Sequence, residues 1–238
     1  MIPEYKAWYG KTEVFKEQLS EVNCKRLYQT LNLKNPAPSI GEAVFPMALL
    51  ILGEPSVATK EAGEDGHPSR GGFMPPIPLK RRMFASGEYD FHFPLRVGND
   101  VKVIWEIKDI LKKNGNTGEL IFVKIHRNFL VKEKLCATEI RNIVYTNSDP
   151  KSLPHKVPEK TSDWVEEIHT DPLQLFRFSA LTFNGHRIHY DRTYAKDVEG
   201  YPGLVVHGPL LATFLSLFAE KKSGRKLKKF NFRGLCPI

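Results

Sequence analysis

The chain has 238 residues, 41% hydrophobic and 26% charged. That is the balance of an ordinary folded protein, with length for one large domain or two small ones, and it excludes disordered and fibrous classes. The net charge of +8 and pI of about 9.3 favour anionic partners, leaving nucleic acid, phosphate-bearing carriers and acidic membrane surfaces open, while three scattered cysteines (Cys24, Cys136, Cys236) argue against a disulfide framework and point to a reducing compartment.

Residues 5–33 mix apolar and charged side chains at helical spacing, with Val14, Leu19, Val22 and Leu27 on one side and Lys16, Glu17 and Lys25 on the other. The spacing predicts a helix that Asn35-Pro36-Ala37-Pro38 stops. Residues 45–52 are a short apolar run, helix or strand. Residues 54–80 concentrate glycine and proline and predict a long loop. Alternation then predicts strands at 89–93, 101–107, 120–125 and 138–145, with hairpin turns at 97–100 and 113–118, an antiparallel meander of about four strands. Residues 147–157 are polar and proline-punctuated, as in a linker. A second block opens with Trp164 and Ile168, continues with a predicted strand at 172–182 and a helix at 209–221 that is apolar nearly all round, and ends in an alternating strand at 228–233. An all-round apolar helix is a buried one, which suggests a sheet wrapped round a helix.

The apolar stretches 44–52 and 210–219 are each about half of the ~20 residues that a bilayer crossing needs, and the first five residues carry no signal pattern. A soluble, non-secreted protein without a membrane partner is expected, cytoplasmic, with a mitochondrial setting as the alternative. The basic run 221–229 reads as a solvated loop after a helix, with contact to coenzyme or carrier phosphates, or to RNA, as the alternatives.

The densest chemistry lies at Thr182-Phe183-Asn184-Gly185-His186-Arg187-Ile188-His189-Tyr190-Asp191, followed by Val206-His207-Gly208-Pro209. His186 and His189 stand three apart, but no Glu or Cys completes a ligand set and Arg187 intervenes, so no metal is expected. Gly208 and its neighbours open the predicted buried helix, where unpaired N–H groups sit at the positive end of the dipole. A carbonyl oxygen bound there has its developing enolate charge stabilised when the adjacent carbon gains or loses a proton. His189 would move that proton, and Asn184 could hold a water. The plainer alternative is that His189, Asn184 and Asp191 stitch a tight turn.

The stretch 179–191, with Val206-His207-Gly208-Pro209-Leu210 after it, closely resembles MaoC-like dehydratases of the hotdog fold. It is most similar to the branch holding type 2 hydroxyacyl-thioester dehydratases and the mesaconyl- and itaconyl-CoA hydratases. Gly71-Gly72-Phe73-Met74-Pro75-Pro76, residues 82–87 and residues 93–98 resemble that branch's N-terminal half. The resemblance implies an α+β double hotdog, two antiparallel sheets each wrapped round a central helix. It divides the chain into a non-catalytic unit at 1–148, a linker at 149–162 and a catalytic unit at 163–238. Branch members continue with further strands, so this second unit is expected to be incomplete at its C-terminal end, leaving its helix partly uncovered.

The implied activity is a hydro-lyase that adds or removes water across C2–C3 of an acyl thioester carried on coenzyme A or an acyl-carrier protein, with no metal or other cofactor. His189 takes the family's histidine position and Asn184 the aspartate position; Gly208 matches the amide donor. His186, Arg187, His207, Arg82 and Arg96 are expected to contact substrate, the arginines as greeters of a dicarboxylate tail. A homodimer is expected, and no nucleic-acid partner. The alternative reading is a non-catalytic acyl-thioester-binding or assembly protein.

Overall fold

A computed structural model describes residues 2–115, 118–149 and 162–238. Its frame is one antiparallel sheet of six strands: β1 (Thr12–Gln18), β2 (Arg81–Phe91), β3 (Asp100–Gly115), β4 (Gly118–Val131), β5 (Lys134–Thr146) and β6 (Lys229–Arg233), in the order β1-β3-β4-β5-β2-β6. Strand periodicity gives the sheet one apolar face. Val101, Val103, Trp105 and Ile107 of β3 and Ile121, Val123, Ile125 and Phe129 of β4 are all buried there. They pack with helix α1 (Glu21–Thr30), whose first turn Ser20 caps through the Asn23 N–H, and with the apolar 3-10 turn Pro46–Ile51. The run at 45–52 is therefore a buried helical turn, and residues 54–80 are largely the expected loop.

Four expectations are corrected. The helix predicted across 5–33 is a 3-10 turn (Pro3–Trp8), then β1, then α1. β1 is an edge strand paired with β3, Val14 opposite Ile104, and Val14 stays 54% exposed, so its alternation is blurred by the charges that edge strands carry. The turn at 97–100 is real, with Gly98 at φ +88° donating its N–H to the Leu19 carbonyl, but it does not close a hairpin. β2 leaves β3 and lies between β5 and β6, so the meander is β3-β4-β5 alone. Residues 172–182, read as a strand, form helix α2 (Pro172–Leu181). Asp171 accepts the Gln174 N–H as N-cap, Pro172 occupies the first turn, and Gln174, Leu175, Phe178 and Ser179 face inward at helical spacing. Helix α3 (Gly208–Ser223) is where expected, but only Leu210, Ala212, Thr213 and Ser216 are buried, and Leu215 is 48% exposed.

The turn at 113–118 does join β3 to β4, with Gly115 opposite Gly118; residues 116–117 lie outside the described residues. So does nearly all of the expected linker, at 150–161. The second part of the chain adds β6 to the free side of β2, Phe232 opposite Gly87. β2 carries a bulge at Ala85, whose carbonyl accepts the Gly234 N–H. Bulges bend a strand and re-aim its side chains, commonly beside functional sites; here the neighbouring Phe84 ring is set against Gly208 at the start of α3. In the basic run, Lys221, Lys226 and Lys229 pair with Glu166, Glu220 and Asp90 at the surface. Among the described residues no helix is long and apolar enough to cross a membrane.

Candidate active site

The site begins where α2 stops. Phe183 takes a left-handed conformation at φ +49°, its N–H reaching the Ala180 carbonyl while the Asn184 N–H reaches back to Ser179. This is a Schellman ending with phenylalanine where glycine is usual, and it fixes Asn184 in space. The Asn184 side-chain oxygen then accepts the His186 N–H at 3.0 Å. The turn-stitching reading holds for that oxygen, which leaves the amide NH2 to donate into the cavity. A 3-10 turn, Arg187–His189, follows, and Asp191 accepts the Tyr194 N–H while pairing with Arg187.

His189 is buried and gives its Nδ1 to the Val205 carbonyl at 2.7 Å. A carbonyl only accepts, so Nδ1 carries the proton and Nε2 carries the lone pair. The His207 ring stacks on His189 with centroids 3.6 Å apart, and the His186 ring meets it edge-on at 5.5 Å. A fourth ring, His67 from the long first-half loop, packs on His186 at 4.7 Å. Burial pulls the His189 imidazole down to about 4, the Val205 hydrogen bond opposing, and holds His67, His186 and His207 well below the usual range. All four rings are neutral at pH 7.

Gly208 opens α3 with His207 at the N-cap and Pro209 behind it. The Leu211 N–H returns to the His207 carbonyl, and the Gly208 N–H has no acceptor among the described residues. Gly208, His189 and Asn184 line one cavity of about 1040 Å³. A base lone pair, an amide donor and an unpaired helix-start N–H thus face a common space, whose walls include Met83, Phe84, Ile143, Phe178 and Val205.

The other expected contacts divide. His186 and Arg82 line the cavity. Arg82 is buried and locked in a two-pronged ion pair with Asp65, at 2.7 and 2.9 Å, and it also bonds the Pro68 carbonyl. His207 does not line the cavity. It is fully buried behind His189, with Nε2 2.8 Å from Ser179 Oγ; that serine is buried away from the cavity too, so the pair offers no accessible nucleophile. Arg187 points elsewhere, into Asp191 and the Glu64 carbonyl over the Tyr194 ring. Arg96 bonds the Gly41 carbonyl on the first-half surface and is not brought to the cavity. Among the described residues no group of His, Cys, Asp or Glu is arranged to hold a metal. Sequence reasoning missed His67, Asp65 and Tyr145. Only the folding of the 54–80 loop over residue 185 brings the first two to the site.

Residues 48–238 match the family described as hydroxyacyl-thioester dehydratase type 2. Mesaconyl-C(4)-CoA hydratase of Chloroflexus aurantiacus is 39% identical over 238 residues, 99% of this chain and 85% of that protein. The mitochondrial hydroxyacyl-thioester dehydratase type 2 of Schizosaccharomyces pombe is 30% identical over 189 residues, 68% of this chain and 62% of that protein. Among solved structures, a conserved Mycobacterium tuberculosis protein described as having a double hotdog fold matches over 97% of this chain and 80% of its own, at TM-score 0.55 and 11% identity. That likeness shows the α+β double-hotdog fold.

Proposed function

The chain belongs to the hydroxyacyl-thioester dehydratase type 2 family, and we propose that it works as a hydro-lyase on an acyl thioester through His189, Asn184 and Gly208. Family membership makes it an enzyme of reversible hydration rather than a mere binding protein. The observation that carries the residue assignment is the facing of the His189 Nε2 lone pair and the unpaired Gly208 N–H in one cavity.

In the dehydrating direction the thioester oxygen accepts the Gly208 N–H. His189 Nε2 takes the C2 proton, and the electron pair moves onto the thioester as an enolate that the amide and the helix start stabilise. The pair then returns to form the C2–C3 double bond. The C3 hydroxyl leaves with the proton handed back by His189, and water is the product. The Asn184 NH2 donates to the hydroxyl oxygen and holds it, and water in the reverse direction, over C3. A low imidazole pKa suits the hand-back, since the protonated ring is a strong acid. His207, flat against the far face of His189, keeps the ring plane fixed.

In this reading residues 163–238 supply the catalytic groups and residues 1–148 most of the acyl pocket, with coenzyme A as the carrier and a homodimer as the assembly. The higher identity to a bacterial relative supports the cytoplasmic setting over the mitochondrial one that the fission-yeast relative suggests.

The test is hydration of crotonyl-CoA and mesaconyl-CoA, followed as loss of enoyl-thioester absorbance. His189→Ala should lower kcat by about 10²–10⁴. A variant that kept the parent rate would overturn the assignment.

A further inference from the structure

Ser179 lies outside the cavity wall, yet it is linked to all three groups that the hydration reading uses. Its carbonyl accepts the Asn184 N–H at 2.9 Å, and its Oγ lies 2.8 Å from His207 Nε2. His207 in turn lies flat on His189, with centroids 3.6 Å apart and planes 19° from parallel, and directly precedes Gly208 in the chain. The Phe178 ring meets His207 edge-on at 5.0 Å. The serine and the histidine are 5% and 0% exposed. One buried hydrogen bond thus ties the end of α2 to the start of α3.

His207 is an odd residue for a core. As the N-cap of α3 it stands where a side chain commonly caps the first turn. Its ring caps nothing: it is turned back to Ser179 and His189, and the Gly208 N–H stays unpaired. Its Nδ1 is buried without a hydrogen-bond partner among the described residues, a cost that a hydrocarbon ring would not carry. What the ring supplies is its contact with His189. A single hydrogen bond, from Nδ1 to the Val205 carbonyl, leaves an imidazole free to tilt about that contact, and the Nε2 lone pair tilts with it. The flat contact with His207, together with the His186 ring edge-on at 5.5 Å, removes that freedom.

We propose that Ser179 and His207 are the positioning pair of this site: the serine anchors the His207 ring, and that ring aims His189 Nε2 at C2 of the thioester and keeps water off the covered face. This rests on the hydro-lyase reading above and deepens it; neither residue touches substrate. The titratable groups facing His189 are His207 at the start of α3, His186 on its own turn and His67 from the long loop, all neutral at pH 7, and Asp65 and Arg82 beside the last two form an ion pair. With no uncompensated charge among them, dryness is what holds His189 near 4. Removing the His207 ring admits water and returns the imidazole toward its ordinary basicity.

The experiment compares Ser179→Ala, His207→Phe and His207→Ala with the parent, by crotonyl-CoA kinetics and by NMR titration of histidines labelled at Cε1. His207→Ala should lower kcat by about 10- to 100-fold, as a misaimed base does, with KM held within about twofold. His207→Phe, which keeps a flat ring, should recover most of that loss, and Ser179→Ala should cost a few-fold. The His189 resonance should titrate near 4 in the parent and in His207→Phe, and clearly higher, toward 6.5, in His207→Ala. Circular dichroism checks each fold, and if His207→Ala does not fold, the other two variants decide. Parent kcat in Ser179→Ala would overturn the pair. A rise in KM at constant kcat would overturn it as well, because the ring would then be binding substrate. His207→Phe with its kcat or its His189 titration displaced as far as in His207→Ala would overturn the stacking role. The titration needs no turnover, so it stands or falls separately from the hydration assay: a parent without hydratase activity sinks the hydro-lyase reading, and an unmoved His189 titration in folded His207→Ala sinks the positioning pair.

Discussion

Gly66 of the first-half loop and Gly185 of the 184–189 turn meet backbone to backbone. A Cβ added to either would overlap the carbonyl of the other, and Gly66 also sits at φ +87°. The contact is extended by the Arg187 N–H, which donates to the Asp65 carbonyl at 2.9 Å. It is how the loop that carries Asp65 and His67 is clamped onto the turn that carries Asn184, His186 and His189.

The first prediction concerns that clamp. Gly66→Ala should cost about 1–3 kcal/mol through overpacking, with left-handed strain added. Gly185→Ala should cost a similar amount, and both should depress hydration by displacing the histidine column. Gly203→Ala, where an added Cβ meets nothing within 4 Å and φ is ordinary, should be neutral in urea unfolding. Equal stability of all three would show that the contact does not hold the halves.

The second concerns acid. Burial holds the His189 ring near 4 in the folded chain, against an ordinary value of 6.5. Above about pH 6.5 both folded and unfolded rings are neutral, so stability does not vary with pH through this group. As pH falls from 6.5 toward 4 the unfolded chain takes up a proton that the folded site refuses, and stability drops by about 3 kcal/mol. His67, His186 and His207 are shifted the same way, so the loss should exceed one proton's worth. Urea midpoints between pH 8 and pH 4.5 would check this; a flat profile would mean the rings are solvated.

The third concerns the start of α3. A Cβ on Gly208 would come 2.7 Å from Phe84 Cδ1, the ring that the β2 bulge sets there. Gly208→Ala should push the amide out of line and lower kcat about tenfold or more, in keeping with the loss of an oxyanion donor. Because the obstacle is a side chain, Phe84→Leu in the same molecule should recover part of the rate. Steady-state kinetics of the single and double variants distinguish this from simple unfolding, in which the second change would bring no recovery.

The residues proposed to carry the chemistry were legible because they are contiguous: 184–189 and 207–209 each form one local turn, so composition and spacing suffice to find them. What was not legible depended on pairing at a distance. Leu173–Leu175 and Phe176–Phe178 alternate like a strand, and only Asp171 with Pro172 signalled the helix start of α2. β1 is told from a helix only by its pairing with β3. His67 stands more than a hundred positions from His186 in a glycine- and proline-rich loop, with no local pattern to mark it. Arg96 and Arg187 share the charge of a carboxylate greeter but spend it on Gly41, Glu64 and Asp191, partners that only the folded chain reveals.

β2 is hydrogen-bonded to β5 along one side and to β6 along the other, and it props the entry to α3 through Phe84. Neither half can therefore melt without stripping a strand from the other. Calorimetry should register a single cooperative endotherm whose van't Hoff and calorimetric enthalpies agree, and two separable peaks would mean that the shared strand does not couple them.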